Sequence, residues 1–162
     1  MTCQPTDADL VNFVLQEARL LAEQQYDAWL ALFAQQGRYW VPLAGAAQVD
    51  GARAASIADE DRLLLSLRID RLKNPRAFSQ HPRSQAQHVL QTPQVCERDE
   101  LHQHYTLYTP FLYTEARGET QVQASGHWMH RLCIEEGQLR ILLKRVNLLN
   151  PGMAWPAIQL FP

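Results

Sequence analysis

Six histidines, three cysteines and a group of aromatic residues near the start are the side chains in this sequence that could do chemistry. His102 and His104 stand two apart. On a strand that spacing puts both rings on one face, where they could chelate a divalent ion. No third ligand stands near them in the sequence, and they adjoin the charged run Glu97-Arg98-Asp99-Glu100, so a solvent-facing pair is the plainer reading. His127 and His130 stand three apart, a ligand spacing on a helix. On a strand the odd separation sends them to opposite faces. There is no His-Glu-x-x-His and no cysteine-histidine finger.

Acid-base chemistry has better raw material. Tyr26, Trp29, Tyr39 and Trp40, together with Asp70 or His88, could line a pocket and move a proton. Isomerases, dehydratases and cyclases use a carboxylate or imidazole buried against rings, which displaces its pKa toward neutrality. The competing reading is that rings at the start of a domain pack its core. Asp70, inside Arg68-Ile69-Asp70-Arg71, then pairs with a helical neighbour. Nucleophilic catalysis has little support. No Gly-x-Ser-x-Gly elbow is present, and Cys133 between Leu132 and Ile134 reads as a small hydrophobe in an alternating strand. Gly45 and Gly51 belong to no phosphate-binding glycine motif.

These residues must be positioned by helices first and strands afterwards. Thr6 with Asp9 three residues on predicts a capped helix from Asp7 to about Gln24, with an apolar stripe of Leu10, Phe13, Val14, Leu20 and Leu21. A short helix from Asp27 to Phe33 follows. Gly37 breaks it, and Arg38 to Leu43 reads as a strand in which Pro42 marks a sheet edge or the strand's end. After a loop from Ala44 to Ala55, Ser56 with Asp59 suggests a second cap. The run Leu63, Leu64, Leu65, Leu67, Ile69 and Leu72 predicts a helix apolar on more than one side, packed against more than one layer and ended by Asn74-Pro75. Strands are expected over Ala86–Val95, His104–Glu115, Thr120–Ile134 and Leu139–Leu149, with a turn at Glu97–Glu100 and glycine turns at Gly118 and Gly137. This is an α+β chain, one domain over residues 1–162, with N-terminal helices packed in a curved, mostly antiparallel sheet.

Composition excludes several partners. With 15 Lys and Arg against 17 Asp and Glu scattered along 162 residues, no basic stripe invites nucleic acid. No apolar run approaches the ~20 residues of a membrane span. The start lacks a secretory pattern, and Cys3, Cys96 and Cys133 show no Cys-x-x-Cys spacing, so reduced thiols in a cytoplasm are expected. The tail from Met153 to Pro162 carries no charge and is almost wholly apolar. Either it closes over the chain's own core or a partner covers it.

Five segments in this order resemble one family: Tyr26-Asp27-Ala28-Trp29-Leu30-Ala31-Leu32, Arg38-Tyr39-Trp40-Val41-Pro42-Leu43, Leu67-Arg68-Ile69-Asp70-Arg71-Leu72, Ser84-Gln85-Ala86-Gln87-His88 and Lys144-Arg145-Val146-Asn147-Leu148-Leu149-Asn150. Over roughly residues 7–150 the chain looks like the beta subunit of bacterial aromatic-ring-hydroxylating dioxygenases. The resemblance implies a cone-shaped, ketosteroid-isomerase-like fold and a non-catalytic, structural role in aromatic catabolism. It also implies assembly of three such chains, themselves a trimer, with three alpha subunits. The alpha subunit of that family holds the Rieske 2Fe-2S cluster and the mononuclear iron, and no catalytic, cofactor or metal residue is expected here. The paired Cys-x-His and Cys-x-x-His runs of a Rieske centre are missing from this sequence. The family often carries arginine and threonine where Gln85 and Ala86 stand, and Arg83 is the implied substitute for polar contacts between subunits. Arg83, Arg145, Trp155 and Phe161 are the interface candidates. Tyr26, Tyr39, Asp70 and His88 are the pocket candidates if the chain is instead a stand-alone enzyme of that fold or a small-ligand-binding domain.

Overall fold

The computed structural model describes residues 4–51, 54–74, 76, 83–150, 158 and 160–162. Helix α1 spans Asp7–Ala22, and its start is the capping box read from the sequence. The Thr6 hydroxyl accepts from the Asp9 amide at 3.2 Å while the Asp9 carboxylate accepts from the Thr6 amide at 2.8 Å. Its buried face is Leu10, Val14, Glu17 and Leu21, one residue per turn. Helix α2 is shorter than expected, Tyr26–Leu30, and strand β1 already begins at Phe33 and runs to Pro42. Gly37 therefore bends a strand rather than ending a helix. A Cβ there would lie 2.8 Å from the Ile141 carbonyl oxygen and 2.9 Å from that of Ala34, at the register shift where β1 leaves its neighbour.

Strand β2 (Ser56–Asp61) replaces the start expected for the leucine-rich helix. Ser56 is thus not a cap. Asp61 is, accepting from the Leu64 amide at 2.9 Å, and α3 runs Arg62–Lys73. Its expected burial on several sides is not met. Leu65 and Ile69 are buried, while Leu63, Leu64 and Leu67 remain 67%, 48% and 55% exposed. The strand expected over Ala86–Val95 is two strands, β3 (Gln85–Leu90) and β4 (Gln94–Asp99), separated at Gln91-Thr92-Pro93. Pro93 cannot donate to a ladder. Both strands pair with the same neighbour, β5, one beyond the other, and Glu97–Asp99 belongs to β4 rather than to a turn.

Strands β5 (His104–Arg117), β6 (Thr120–Glu135) and β7 (Gln138–Leu148) form the expected antiparallel meander. The sheet order is β2-β1-β7-β6-β5-β3, with β4 also on β5. Only β1 against β7 is parallel among these pairs. The inner face carries Tyr105, Leu107, Phe111 and Tyr113 of β5, Trp128 and Leu132 of β6, and Val146 and Leu148 of β7, packed against α1, α2 and α3. The chain ends inside this core, with Leu160 and Phe161 6% and 2% exposed. Of the two fates for the tail, closure over the chain's own core holds for these last residues. Trp155 lies outside the described residues.

Candidate functional site

The inner face is lined with polar groups that the apolar pattern conceals. Glu17 takes the place of a leucine in the stripe of α1, and Lys144 alternates with Val146 and Leu148 on β7. His130 takes the inner position between Trp128 and Leu132. All three side chains are fully buried. The Glu17 Oε1 atom accepts from Lys144 Nζ at 2.6 Å and from Trp29 Nε1 at 2.9 Å, and Oε2 accepts from His130 Nε2 at 2.7 Å. Lys144 Nζ also lies 3.7 Å from the centre of the Trp128 ring.

This cluster is a structural joint between α1, α2, β6 and β7. Burial by itself would raise the Glu17 pKa, but the charge of Lys144 and the interactions of His130 outweigh it and hold the carboxyl well below the ordinary range. Burial pulls Lys144 down, with Glu17 opposing. A carboxylate that stays ionised and spends both oxygens on fixed donors has no capacity to take a proton from a substrate. The sequence reading missed this cluster. Its signals were a glutamate in an apolar helical stripe and a lysine in phase with inward-facing valine and leucine.

The pocket candidates scatter in environment. Asp70 is exposed on the outer side of α3 and takes no part in the interior. His88 is 8% exposed, its ring 4.7 Å from that of Trp128 and 4.8 Å from that of Tyr113. Neither of its nitrogens has a hydrogen-bond partner among the described residues. Burial first, and Lys144 second, push its pKa down to about 3, with Glu17 opposing weakly. Burial, helped by Glu115, lifts Tyr26 to about 12, and burial lifts Tyr39 higher still. Tyr39 donates to the Pro162 carbonyl at 3.3 Å. Phe161 fills the space between Tyr26, Trp29 and Tyr39, with ring centres 5.9, 4.5 and 5.6 Å away. Arg68 caps it from 4.3 Å and holds the Leu160 carbonyl at 2.8 Å. None of Tyr26, Tyr39 and His88 is poised near neutral pH.

The pair His127 and His130 behaves as strand geometry predicts, whereas His102 is not on a strand. His130 faces inward and His127 outward, where Asn147 Nδ2 donates to its Nε2 at 3.1 Å. His102 lies in the turn before β5 and donates to Asp99 at 2.7 Å, while the Arg131 guanidinium donates to His104 Nδ1 at 3.2 Å. Among the described residues no group of three or more His, Cys, Asp or Glu side chains is arranged to hold a metal. Cys133 is buried and Cys96 exposed, both as free thiols. Among the described residues no helix is long and apolar enough to cross a membrane.

The interface candidates divide. Arg83 is exposed just before β3. Arg145 is half-buried and bonded within the chain. It donates to Asn147 at 2.7 Å and to the carbonyls of Gly45, Ala46 and Gln48, and its guanidinium stacks over Trp40 at 4.4 Å. Arg38 stacks over the same ring at 4.6 Å and binds Asp59 and Asp50, so the pair of arginines ties the 44–50 loop to the sheet. Phe161 is a core residue, as its ring contacts require.

Comparison with known proteins agrees with this architecture. The chain is 31% identical over 96 residues to the small subunit of 2-halobenzoate 1,2-dioxygenase from Burkholderia cepacia, a match spanning 57% of this chain and only 58% of that one. It is 27% identical over 150 residues to the small oxygenase component of the p-cumate 2,3-dioxygenase system of Pseudomonas putida, covering 88% of this chain and 79% of that one. Its fold matches the crystal structure of the beta subunit of benzoate 1,2-dioxygenase from Burkholderia mallei with a TM-score of 0.73, at 22% identity, over 92% of this chain and 94% of that one. The profile of the ring hydroxylating beta subunit family covers residues 16–154, which includes the buried Glu17–His130–Lys144 joint and every strand of the sheet, and the chain belongs to that family.

Proposed function

We propose that this chain is the small, non-catalytic subunit of a multicomponent aromatic-ring dioxygenase in the cytoplasm. It supports a large alpha subunit that carries the Rieske cluster and the mononuclear iron and dihydroxylates an aromatic compound. Three copies join three alpha subunits, with the small chains themselves associating as a trimer. The family match over residues 16–154 carries the reading. Two physical observations support it. Phe161 occupies the space between Tyr26, Trp29 and Tyr39, Lys144 and His130 hold Glu17 ionised, and burial holds His88 neutral. Such a domain contributes geometry, holding catalytic subunits in register, and contributes no proton or ligand. Arg83, exposed before β3, is the arginine we assign to contact with the large subunit.

The test is co-expression with the large oxygenase subunit encoded nearest to it. The expected result is a complex with equal numbers of both chains, oxygenase activity that vanishes without this chain, and iron that follows the large chain alone after separation. A chain that stays apart from the large subunit and turns over a small molecule by itself overturns the reading.

A further inference from the structure

Residues 160–162 sit in the fold as a ligand sits in a site. They belong to no helix or strand. Side chains from four elements hold them. Tyr26 and Trp29 of α2 and Tyr39 of β1 surround the Phe161 ring, and Arg68 of α3 stacks on it at 4.3 Å. The same guanidinium donates to the Leu160 carbonyl at 2.8 Å. Glu115 of β5 is 2% exposed, and its Oε1 atom accepts from the Leu160 amide at 2.8 Å and from the Tyr113 hydroxyl at 2.8 Å. The Tyr39 hydroxyl donates to the Pro162 carbonyl at 3.3 Å.

Closing an apolar core does not call for this equipment. A buried carboxyl group is costly to take out of water unless it bonds something, and apolar side chains alone could cover a phenyl ring. The polar groups here read one chemical pattern. It is a phenyl ring, then an amide carbonyl joined to it through an amide nitrogen and two carbons, then an N–H one residue further back. Tyr26 adds a group not yet used. It is 7% exposed, and its hydroxyl has no hydrogen-bond partner among the described residues. Glu115 and Arg68 both act on its ionisation, so it stands near the two groups that hold the tail. A segment outside helix and sheet opens at a lower free energy than the core strands, so the seat can be vacated while the domain stays folded.

We propose that the seat of residues 160–162 is a binding site for a phenylalkyl amide, a small molecule whose phenyl ring stands two carbons from an amide nitrogen, and that Leu160 and Phe161 occupy it in competition with that ligand. The ring enters between Tyr26, Trp29 and Tyr39. The amide carbonyl accepts from Arg68, and a further N–H of the ligand donates to Glu115. This site concerns the chain alone and goes beyond its assigned role as a subunit.

The probe is N-acetylglycine 2-phenylethylamide, which repeats the ring, carbonyl and N–H of Leu160-Phe161 at the same spacing. Hydrogen–deuterium exchange of the wild-type chain is followed by mass spectrometry with and without excess probe. Faster exchange of the Leu160 and Phe161 amides, with the sheet unchanged, is expected, because the probe enters only as the tail leaves. Calorimetry then compares wild type with Phe161→Ala. The variant is expected to bind the probe about tenfold more tightly or better, since its tail no longer competes for the ring position. Two analogues separate a built site from a hole. The acetoxyacetic 2-phenylethylamide has an ester oxygen in place of the N–H that faces Glu115, and is expected to bind about tenfold more weakly or worse. Ethylbenzene carries the ring alone and is expected to bind more weakly than the probe. Unchanged exchange in the wild-type chain overturns the proposal. So does an ester that binds as well as the probe, and so does a variant that takes ethylbenzene as tightly as the probe, which is a hole left by the lost ring only. If Phe161→Ala is insoluble, the exchange of the wild-type chain with probe and with ester decides by itself.

Discussion

His88 makes the stability of this protein depend on pH in a way a single substitution can isolate. The ring is buried among Phe111, Tyr113 and Trp128, and neither nitrogen has a hydrogen-bond partner among the described residues. Burial lowers its pKa from 6.5 to about 3. Between those values the unfolded chain binds a proton that the folded chain refuses. The folded-state pKa is the lower one, so the contribution of this group to stability is complete above pH 6.5 and is lost as pH falls toward 3. At pH 5 the imidazole lies about 1.5 units below its unfolded pKa, and at 1.36 kcal/mol per unit the loss relative to pH 8 is about 2 kcal/mol. His88→Leu removes this loss. It also removes two orphaned polar atoms, whose burial costs on the order of 1–3 kcal/mol, so the variant is expected to be at least as stable as wild type at pH 8. Urea titrations of both proteins at pH 8 and pH 5, at one fixed protein concentration, give the four stabilities. The wild type is expected to lose about 2 kcal/mol more than the variant on acidification. Equal losses would refute the claim that His88 stays neutral and unsolvated in the folded chain.

Other outcomes follow from the same interior. Glu17→Gln leaves Lys144 buried without its counter-charge and is expected to cost ~3–5 kcal/mol in urea unfolding; adding Lys144→Met is expected to return more than half of that loss. Phe161→Ala empties the space between Tyr26, Trp29 and Tyr39 and is expected to cost ~3–5 kcal/mol, read as a lower urea midpoint with an unchanged slope. Gly126→Ala drives a Cβ into the Asn147 carbonyl oxygen, so β6 and β7 must part; insoluble or strongly destabilised protein is expected. Gly137→Ala, with open space around its Cβ and φ +75°, is expected to cost only ~1–2 kcal/mol, and equal thermal shifts for the two glycine variants would contradict the geometry.

Periodicity is local, and it determined what local rules govern: the capped α1 with its apolar face, the β5–β7 meander, the α+β order, and the opposite facing of His127 and His130. The family too was legible, because five segments in order carry it without any fold being known. Tertiary structure decided matters in which distant segments compete or pair. Leu63, Leu64 and Leu67 read as buried from their own apolarity, yet only contact with another layer could bury them, and the described fold supplies none. Ser56 and Asp61 are both good caps, and pairing of β2 with β1 selected Asp61. Glu17 and Lys144 stand 127 residues apart, so neither helical nor strand spacing could reveal that each makes the burial of the other tolerable. Phe161 looked available to a partner as a side-chain type; three aromatic rings had already claimed it. A sequence states which side chains must leave water, but only the folded chain states what they meet there, because a buried charge or ring is stabilised by neighbours that the chain brings together from far away.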